Sequence, residues 1–182
     1  MDPADVAKVT ALADRLIGVG YYRPQSVREM LERSSRDGVI CSHVAESVEG
    51  PAPEVIGFRF ALPPGRWIRG RGKGLTPSSW GAPLERCGYF QTAFVNDAWR
   101  GRGVGRAMAT AALTSLRELG ADAVVTHSWK ESPGNSSLRY LSGLGFITVA
   151  EHPDYWADVD YHCARDGYPC RCTAIEMCLP LT

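Results

Sequence analysis

The sequence lacks any apolar run that approaches a membrane span, and Met1-Asp2-Pro3-Ala4-Asp5 is acidic where an export signal would be apolar. The expectation is a cytoplasmic protein with no membrane partner. Net charge is also missing: 20 Lys and Arg offset 20 Asp and Glu, and the pI is near 6.9. Nucleic-acid binders are more often basic overall, so no nucleic-acid partner is expected. Internal repeats and a domain linker are absent too. The 182 residues therefore read as a single domain, 1–182, long enough to bury a sizeable core. Hydrophobic residues at 45% and charged residues at 22% fit a globular chain.

Periodicity gives the order of elements. Asp2 caps a helix over residues 3–17, whose apolar face is Val6, Val9, Leu12, Ala13, Leu16 and Ile17. Ser26-Val27-Arg28-Glu29 reads as a capping box opening a second helix that Asp37-Gly38 stops. Residues 39–46, 54–62 and 87–95 read as strands. Residues 63–86, rich in Gly, Pro and Ser, read as an irregular loop, and loops of that length are usually functional or disordered. A third helix spans 104–119, a strand 123–128, a short helix 136–144, and closing strands 146–150 and 173–179.

Two familiar phosphate loops are absent. In G-x-G-x-x-G the last glycine would fall on Arg106 or Met108, and no Lys-Ser/Thr pair follows Gly105 as a P-loop needs. What is present is Arg100-Gly101-Arg102-Gly103-Val104-Gly105-Arg106, between a strand and a helix. A glycine-rich turn at a helix N-terminus offers free backbone N–H groups and a positive dipole end to an anion. Read as Arg-x-x-Gly-x-Gly, and with Asn135 and Leu144-Gly145-Phe146 downstream, the chain resembles the GNAT superfamily of acyl-CoA-dependent N-acyltransferases.

The resemblance implies an α/β (α+β) fold with a central mixed, strongly twisted sheet of about six strands flanked by four helices. It is specific over residues 89–146. That fold usually opens with a strand before its first helix, and only Met1 precedes the helix here. The implied activity is transfer of an acetyl group from acetyl-CoA to a primary amine acceptor, by direct attack on the thioester. The alternative is a non-catalytic acyl-CoA-binding regulatory module. Amides of Gly101, Arg102, Gly103, Val104, Gly105 and Arg106 would take the diphosphate, with charge from Arg100, Arg102 and Arg106. Phe94 and Val95 would flank the pantetheine, a Val95 amide would stabilise the oxyanion, and Asn135 would contact the pantetheine amides or cap its own helix.

The catalytic residues depart from the family pattern. Gln91 stands where many members have a Glu base, and Leu141 where a Tyr acid is common; Tyr140 is one place earlier. A base could come from His127, the first choice, or from Glu85, Asp97, Glu131, Asp154 or His152. Six cysteines include Cys163, Cys170, Cys172 and Cys178 in the last twenty residues. Only Cys170-x-Cys172 is a tight pair, so a reduced cysteine-rich loop is expected and no metal, although Cys163 with Asp166 could complete a ligand set. The basic run Arg66 to Gly74 reads as a solvated loop, and Trp67, Trp80, Trp129 and Trp156 as core or acceptor-pocket residues. The absent first strand leaves an edge that a homodimer could cover.

Overall fold

The computed structural model describes residues 1–67 and 73–181. Its helices are α1 (Val6–Leu16), α2 (Pro24–Ser34), α3 (Val104–Glu118) and α4 (Ser136–Ser142). Its strands are β1 (Ser35–Arg36), β2 (Val39–Ile40), β3 (His43–Ser47), β4 (Glu54–Leu62), β5 (Cys87–Val95), β6 (Ala123–Trp129), β7 (Ile147–His152) and β8 (Ala174–Pro180). Six of them form one sheet in the order β3-β4-β5-β6-β8-β7. The pairings are antiparallel except β5 with β6, which the α3 crossover makes parallel. This is the mixed six-stranded sheet with four helices that the sequence implies. Among the described residues no helix is long and apolar enough to cross a membrane.

Side-chain alternation sends successive residues to opposite faces of the sheet. Phe58, Phe60, Leu62, Tyr89 and Val125 pack with Val9, Leu12 and Val27 of α1 and α2. Ala61, Phe90, Val124, Ile175 and Met177 pack with Ala109, Ala112, Leu116 and Leu141 of α3 and α4. β4 is covered on both faces, so Val55 to Leu62 are all buried.

Several local expectations change. Asp2 does form a capping box, but on a short 3₁₀ turn, Pro3–Asp5, that feeds α1. α2 begins at Pro24, because proline's fixed φ suits a first helical position and its missing N–H costs nothing there. Ser26 is thus inside the first turn and caps nothing. Asp37-Gly38 is the two-residue turn of the β1–β2 hairpin, with φ of 52° and 80°. The strand expected over 39–46 breaks at Cys41-Ser42 into β2 and β3. Among the described residues no strand precedes α1, and β3 is the sheet edge.

The long segment 63–86 is anchored rather than loose. Trp67 and Trp80 are buried, and their indole N–H groups donate to the Cys87 carbonyl and to Glu176 Oε1, both at 2.7 Å. They are core residues, not acceptor-pocket residues. Of the basic run, Ile68 to Gly72 lie outside the described residues; Lys73 pairs with Asp158 at 2.7 Å.

Candidate active site

β5 and β6 pair from Cys87 with Ala123 to Phe90 with Thr126, and no further. Beyond that point β5 follows β4 and β6 follows β8, so residues 91–95 and 127–129 diverge. The β4–β5 register skips Gln91: Phe60 faces Thr92 while Ala61 faces Phe90. A bulge bends its strand, and this one turns β5 away from β6. The opening is a cavity of about 510 Å³, within the range of small-molecule sites. Phe94, Val95 and Gln91 line it. The Asn96 N–H donates to the Ile56 carbonyl at 2.8 Å, so by strand alternation the Val95 N–H points away from β4, into the divergence.

The same cavity reaches the N-terminus of α3. The first ladder bond of this helix runs from the Ala107 N–H to the Gly103 carbonyl at 3.0 Å, so the amides ahead of it have no intrahelical acceptor. Gly103 is the N-cap residue, and no side chain caps the helix. Gly101 and Gly103 hold φ of 77° and 83°, which a Cβ would strain, and a Cβ at either would meet only open space. An uncapped helix end facing open space suits the diphosphate of a coenzyme A ester. Of Arg100 to Arg106, only Arg102 does not line the cavity. It lies 4.7 Å over the Trp99 ring, so its side chain is not brought to the phosphate site. Arg100 bonds Asp97 at 2.8 Å and reaches the Val95 carbonyl at 3.4 Å; Arg106 bonds the Gly143 carbonyl at 3.1 Å.

A family model described as Acetyltransferase (GNAT) family matches residues 21–146. The chain belongs to this family. Ard1 from Thermoplasma volcanium superposes with a TM-score of 0.67 at 18% identity, over 100% of this chain and 95% of that one. Arabidopsis thaliana NAA60, in complex with acetyl-CoA, gives 0.71 at 16%, over 100% and 96%. The ribosomal-protein-S18-alanine N-acetyltransferase of Escherichia coli gives 0.64 at 11%, over 100% and 91%. Among curated proteins none matches the sequence. The GNAT protein is accordingly an acyl-CoA-dependent N-acetyltransferase with acetyl-CoA as donor, and its reaction uses no metal. The non-catalytic alternative is not favoured.

In this GNAT chain the acid–base groups fall unevenly. Of Glu85, Asp97, Glu131, Asp154, His127 and His152, only His127 lines the cavity, and no carboxylate does among the described residues. His127 Nε2 sits 2.6 Å from the Gly74 carbonyl, an acceptor, so Nε2 carries the proton and donates. Nδ1 then accepts from the Tyr89 hydroxyl at 2.7 Å, and the ring stacks on Tyr155. In this arrangement the lone pair is engaged with Tyr89. His152 bonds Glu176 at 3.0 Å, Asp154 faces Arg171 at 3.8 Å, and Glu131 accepts from the Thr173 amide. Burial would raise the Glu176 carboxyl pKa, but hydrogen bonds from Thr76, His152 and Trp80 outweigh it and hold the group below its usual range.

Tyr140 does face the cavity; Leu141 also borders it but is buried. Its hydroxyl donates to the Gly105 carbonyl and accepts from Arg59 Nη2, both at 2.8 Å. Asn135 does not line the cavity. It occupies the α4 N-cap position with φ of 54° but makes no side-chain cap bond, and Ser132 Oγ accepts from the Ser137 amide instead. Ser132, Ser136 and Ser137 line the wall where Asn135 was expected.

The residue that sequence reasoning missed is Arg59. It is 2% exposed, has no carboxylate partner among the described residues, and packs its guanidinium 4.0 Å over the Phe90 ring. Its Nε makes no hydrogen bond. Burial lowers its pKa, and Tyr140 works against that shift. The signal was available: one charge inside the apolar run Val55 to Leu62.

Proposed function

We propose that the amides of Gly101 to Arg106 hold the diphosphate of acetyl-CoA and that the β5–β6 divergence takes its pantetheine arm. The supporting observation is that this uncapped helix end and the Val95 amide open into one cavity. Arg100 and Arg106 border the phosphate end, and Phe94 borders the arm. The Val95 N–H donates to the thioester oxygen as charge develops on it. Tyr140 supplies a proton to the departing thiolate, and the hydrogen bond from Arg59 Nη2 at 2.8 Å positions its hydroxyl. Gln91 cannot take a proton at neutral pH; its role is the bulge that opens the strands.

The acceptor is a weakly basic primary amine of a small molecule or of a protein N-terminus. Among the described residues cations line the cavity and carboxylates do not, so a protonated amine is repelled and the neutral form enters. An α-amine, with a pKa of about 7.7–8.0, is partly neutral at pH 7; a lysine amine, at about 10.4, is almost wholly charged. Tyr21, Trp129, Trp156 and Tyr161 give the acceptor end an aromatic wall. The chain works as one domain in the cytoplasm, and the β3 edge is where a second copy would add.

Thiol release from acetyl-CoA, assayed with peptide α-amines and blocked lysines from about pH 6 to 10, tests this reading. The expected kcat/KM for the α-amine rises with pH and levels near the acceptor's own pKa. Coenzyme A binding without turnover on any amine defeats the catalytic assignment. A lysine preferred at pH 7 defeats the acceptor assignment alone.

A further inference from the structure

Residues 153–173, between β7 and β8, form a small cluster of their own at the acceptor end. Tyr161, Cys163, Cys170 and Cys172 are all buried there, against Ile17, Tyr21, Trp129 and Trp156. The chain doubles back over Cys163 and Gly167, whose amides and carbonyls bond each other at 2.9 Å both ways. That turn carries Asp166 over the sulfurs. The Asp166 carboxylate also accepts from the Arg171 amide at 3.1 Å, which draws Cys170 and Cys172 toward it. One donor atom each from Cys163, Asp166, Cys170 and Cys172 lies within 4.8 Å of all the others.

We propose that Cys163, Asp166, Cys170 and Cys172 bind a structural zinc ion. The separations support it: Cys163 Sγ and Cys172 Sγ are 3.9 Å apart, and Cys172 Sγ is 3.2 Å from Asp166 Oδ2. Zinc–sulfur bonds of about 2.3 Å at tetrahedral angles put two sulfurs about 3.8 Å apart and a sulfur and a carboxylate oxygen about 3.5 Å apart. Three thiolates select a soft ion over magnesium or calcium. Four protein ligands fill the coordination shell, so no position is left for a substrate, in agreement with a reaction that uses no metal.

The surroundings fit a charged thiolate centre. Arg165 Nε stands 3.6 Å from Asp166 Oδ1 and offsets the excess negative charge of four anionic ligands. Trp129 packs on the cluster, and among the described residues its buried Nε1–H has no hydrogen-bond acceptor; a metal-bound sulfur is one. All six cysteines are free, and these three sulfurs converge without forming a disulfide. The spacing Cys163-x-x-Asp166-x-x-x-Cys170-x-Cys172 hid the site, because a carboxylate stands where a second short cysteine pair would complete the usual pattern.

Zinc would fasten the segment that bears Trp156, Tyr161 and Cys163 to the cavity wall. That consequence rests on the proposed acceptor end; metal binding does not. The full chain, purified without chelators, is expected to hold about one equivalent of zinc by elemental analysis, released when a mercurial blocks the thiols. Cobalt(II) in its place should give sulfur-to-metal charge-transfer absorption and tetrahedral d–d bands. Cys170→Ser and Asp166→Asn should each lose most of the metal, whereas Cys41→Ser, remote from the cluster, should keep it. Less than about a tenth of an equivalent in wild type after zinc supplementation, or unchanged metal in Cys170→Ser, overturns the proposal. So does a denatured mass lower by the two hydrogens of a disulfide. If the cysteine variants fail to fold, the cobalt spectrum of wild type decides: octahedral bands without sulfur charge transfer overturn it.

Discussion

At the cofactor end of the cavity one run of chain, Arg100 to Arg106, supplies the backbone groups of the candidate phosphate site, while at the acceptor end Tyr21, Trp129, Trp156 and Tyr161 come from four separate segments. The cavity also differs from the layer behind it. Arg59 Nε near the cofactor end and Trp129 Nε1 at the acceptor end are both buried without partners among the described residues. Behind the acceptor end Glu176 is bonded by Thr76, Trp80 and His152. Groups beside the cavity stay unspent at both ends, and the layer behind it, which must only keep its shape, satisfies them.

The largest expected effect breaks the cofactor end. Val104→Asp adds a carboxylate at the first position of α3, where an acidic residue is favoured by the helix dipole. Folding is therefore expected to hold, with an unchanged or slightly raised Tm. Two like charges at about 4 Å repel by about 4 kcal/mol in a surface-like dielectric, so coenzyme A affinity should fall at least about a hundredfold. Calorimetry reading unchanged affinity would remove the amides of α3 from the site. Gly103→Asp is the poorer probe, since φ of 83° strains any side chain there.

Next in size is the proposed proton donor. Tyr140→Phe is expected to lower kcat about tenfold to a hundredfold with little change in KM for acetyl-CoA. Arg59→Met should do the same while leaving Tm equal or higher, because a buried charge without a counter-ion gives way to an apolar chain of similar length. If the two act as a unit, the double variant loses no more than the worse single one. Additive losses in kcat would separate Arg59 from Tyr140.

The same comparison explains what could be read in the sequence. The β5–turn–α3 unit is local: a strand, a glycine-rich turn and an amphipathic helix follow one another, so periodicity and composition expose it. The parallel β5–β6 pair follows, because a strand–helix–strand unit has one favoured hand; the place of β8 between β6 and β7 does not. The acceptor wall is not local. Trp67 and Trp80 look like Trp129 and Trp156 in sequence, and only the topology sends the first pair to the core and the second to the cavity. One helical step separates Tyr140 from Leu141, both border the cavity, and only the structure shows that the Tyr140 hydroxyl is held at the α3 N-terminus by the Gly105 carbonyl. The general base failed to appear for a physical reason: the candidate carboxylates lie outside the cavity, where Asp97 meets Arg100, Glu131 meets the Thr173 amide and Asp154 meets Arg171.

Glu176→Gln sharpens the acceptor side. The amide oxygen can still accept from the Thr76 and Trp80 N–H groups, but the charge is gone and the NH2 that replaces the second oxygen cannot accept from the Thr76 hydroxyl or His152. A loss of about 2 kcal/mol is expected, near 4–8 °C in Tm for a chain of this size. The carboxyl pKa is lowered in the folded state, so the stabilisation is full above the unfolded value and is lost as pH falls through the lower folded one. Wild type and variant should therefore converge in acid. A constant difference in Tm from about pH 7 down to about pH 3 would mean that packing, not charge, sets the effect.

The smallest effect lies on the other side of the comparison, at His43 on β3, opposite Arg59 in the β3–β4 register. Burial lowers its pKa first, and the N-terminal ammonium and Arg59 add to the shift. The folded state thus holds His43 neutral while the unfolded chain protonates it below about pH 6.5. More protons bound in the unfolded state means that stability falls as pH drops from that value toward the folded pKa. His43→Gln removes the group, so its Tm should change less than wild type's between about pH 7 and pH 5. Because Arg59 contributes to the shift, Arg59→Met should also flatten that slope, linking the cavity's buried charge to the sheet edge behind it. An Arg59→Met profile that parallels wild type would leave burial and the N-terminus as the causes at His43.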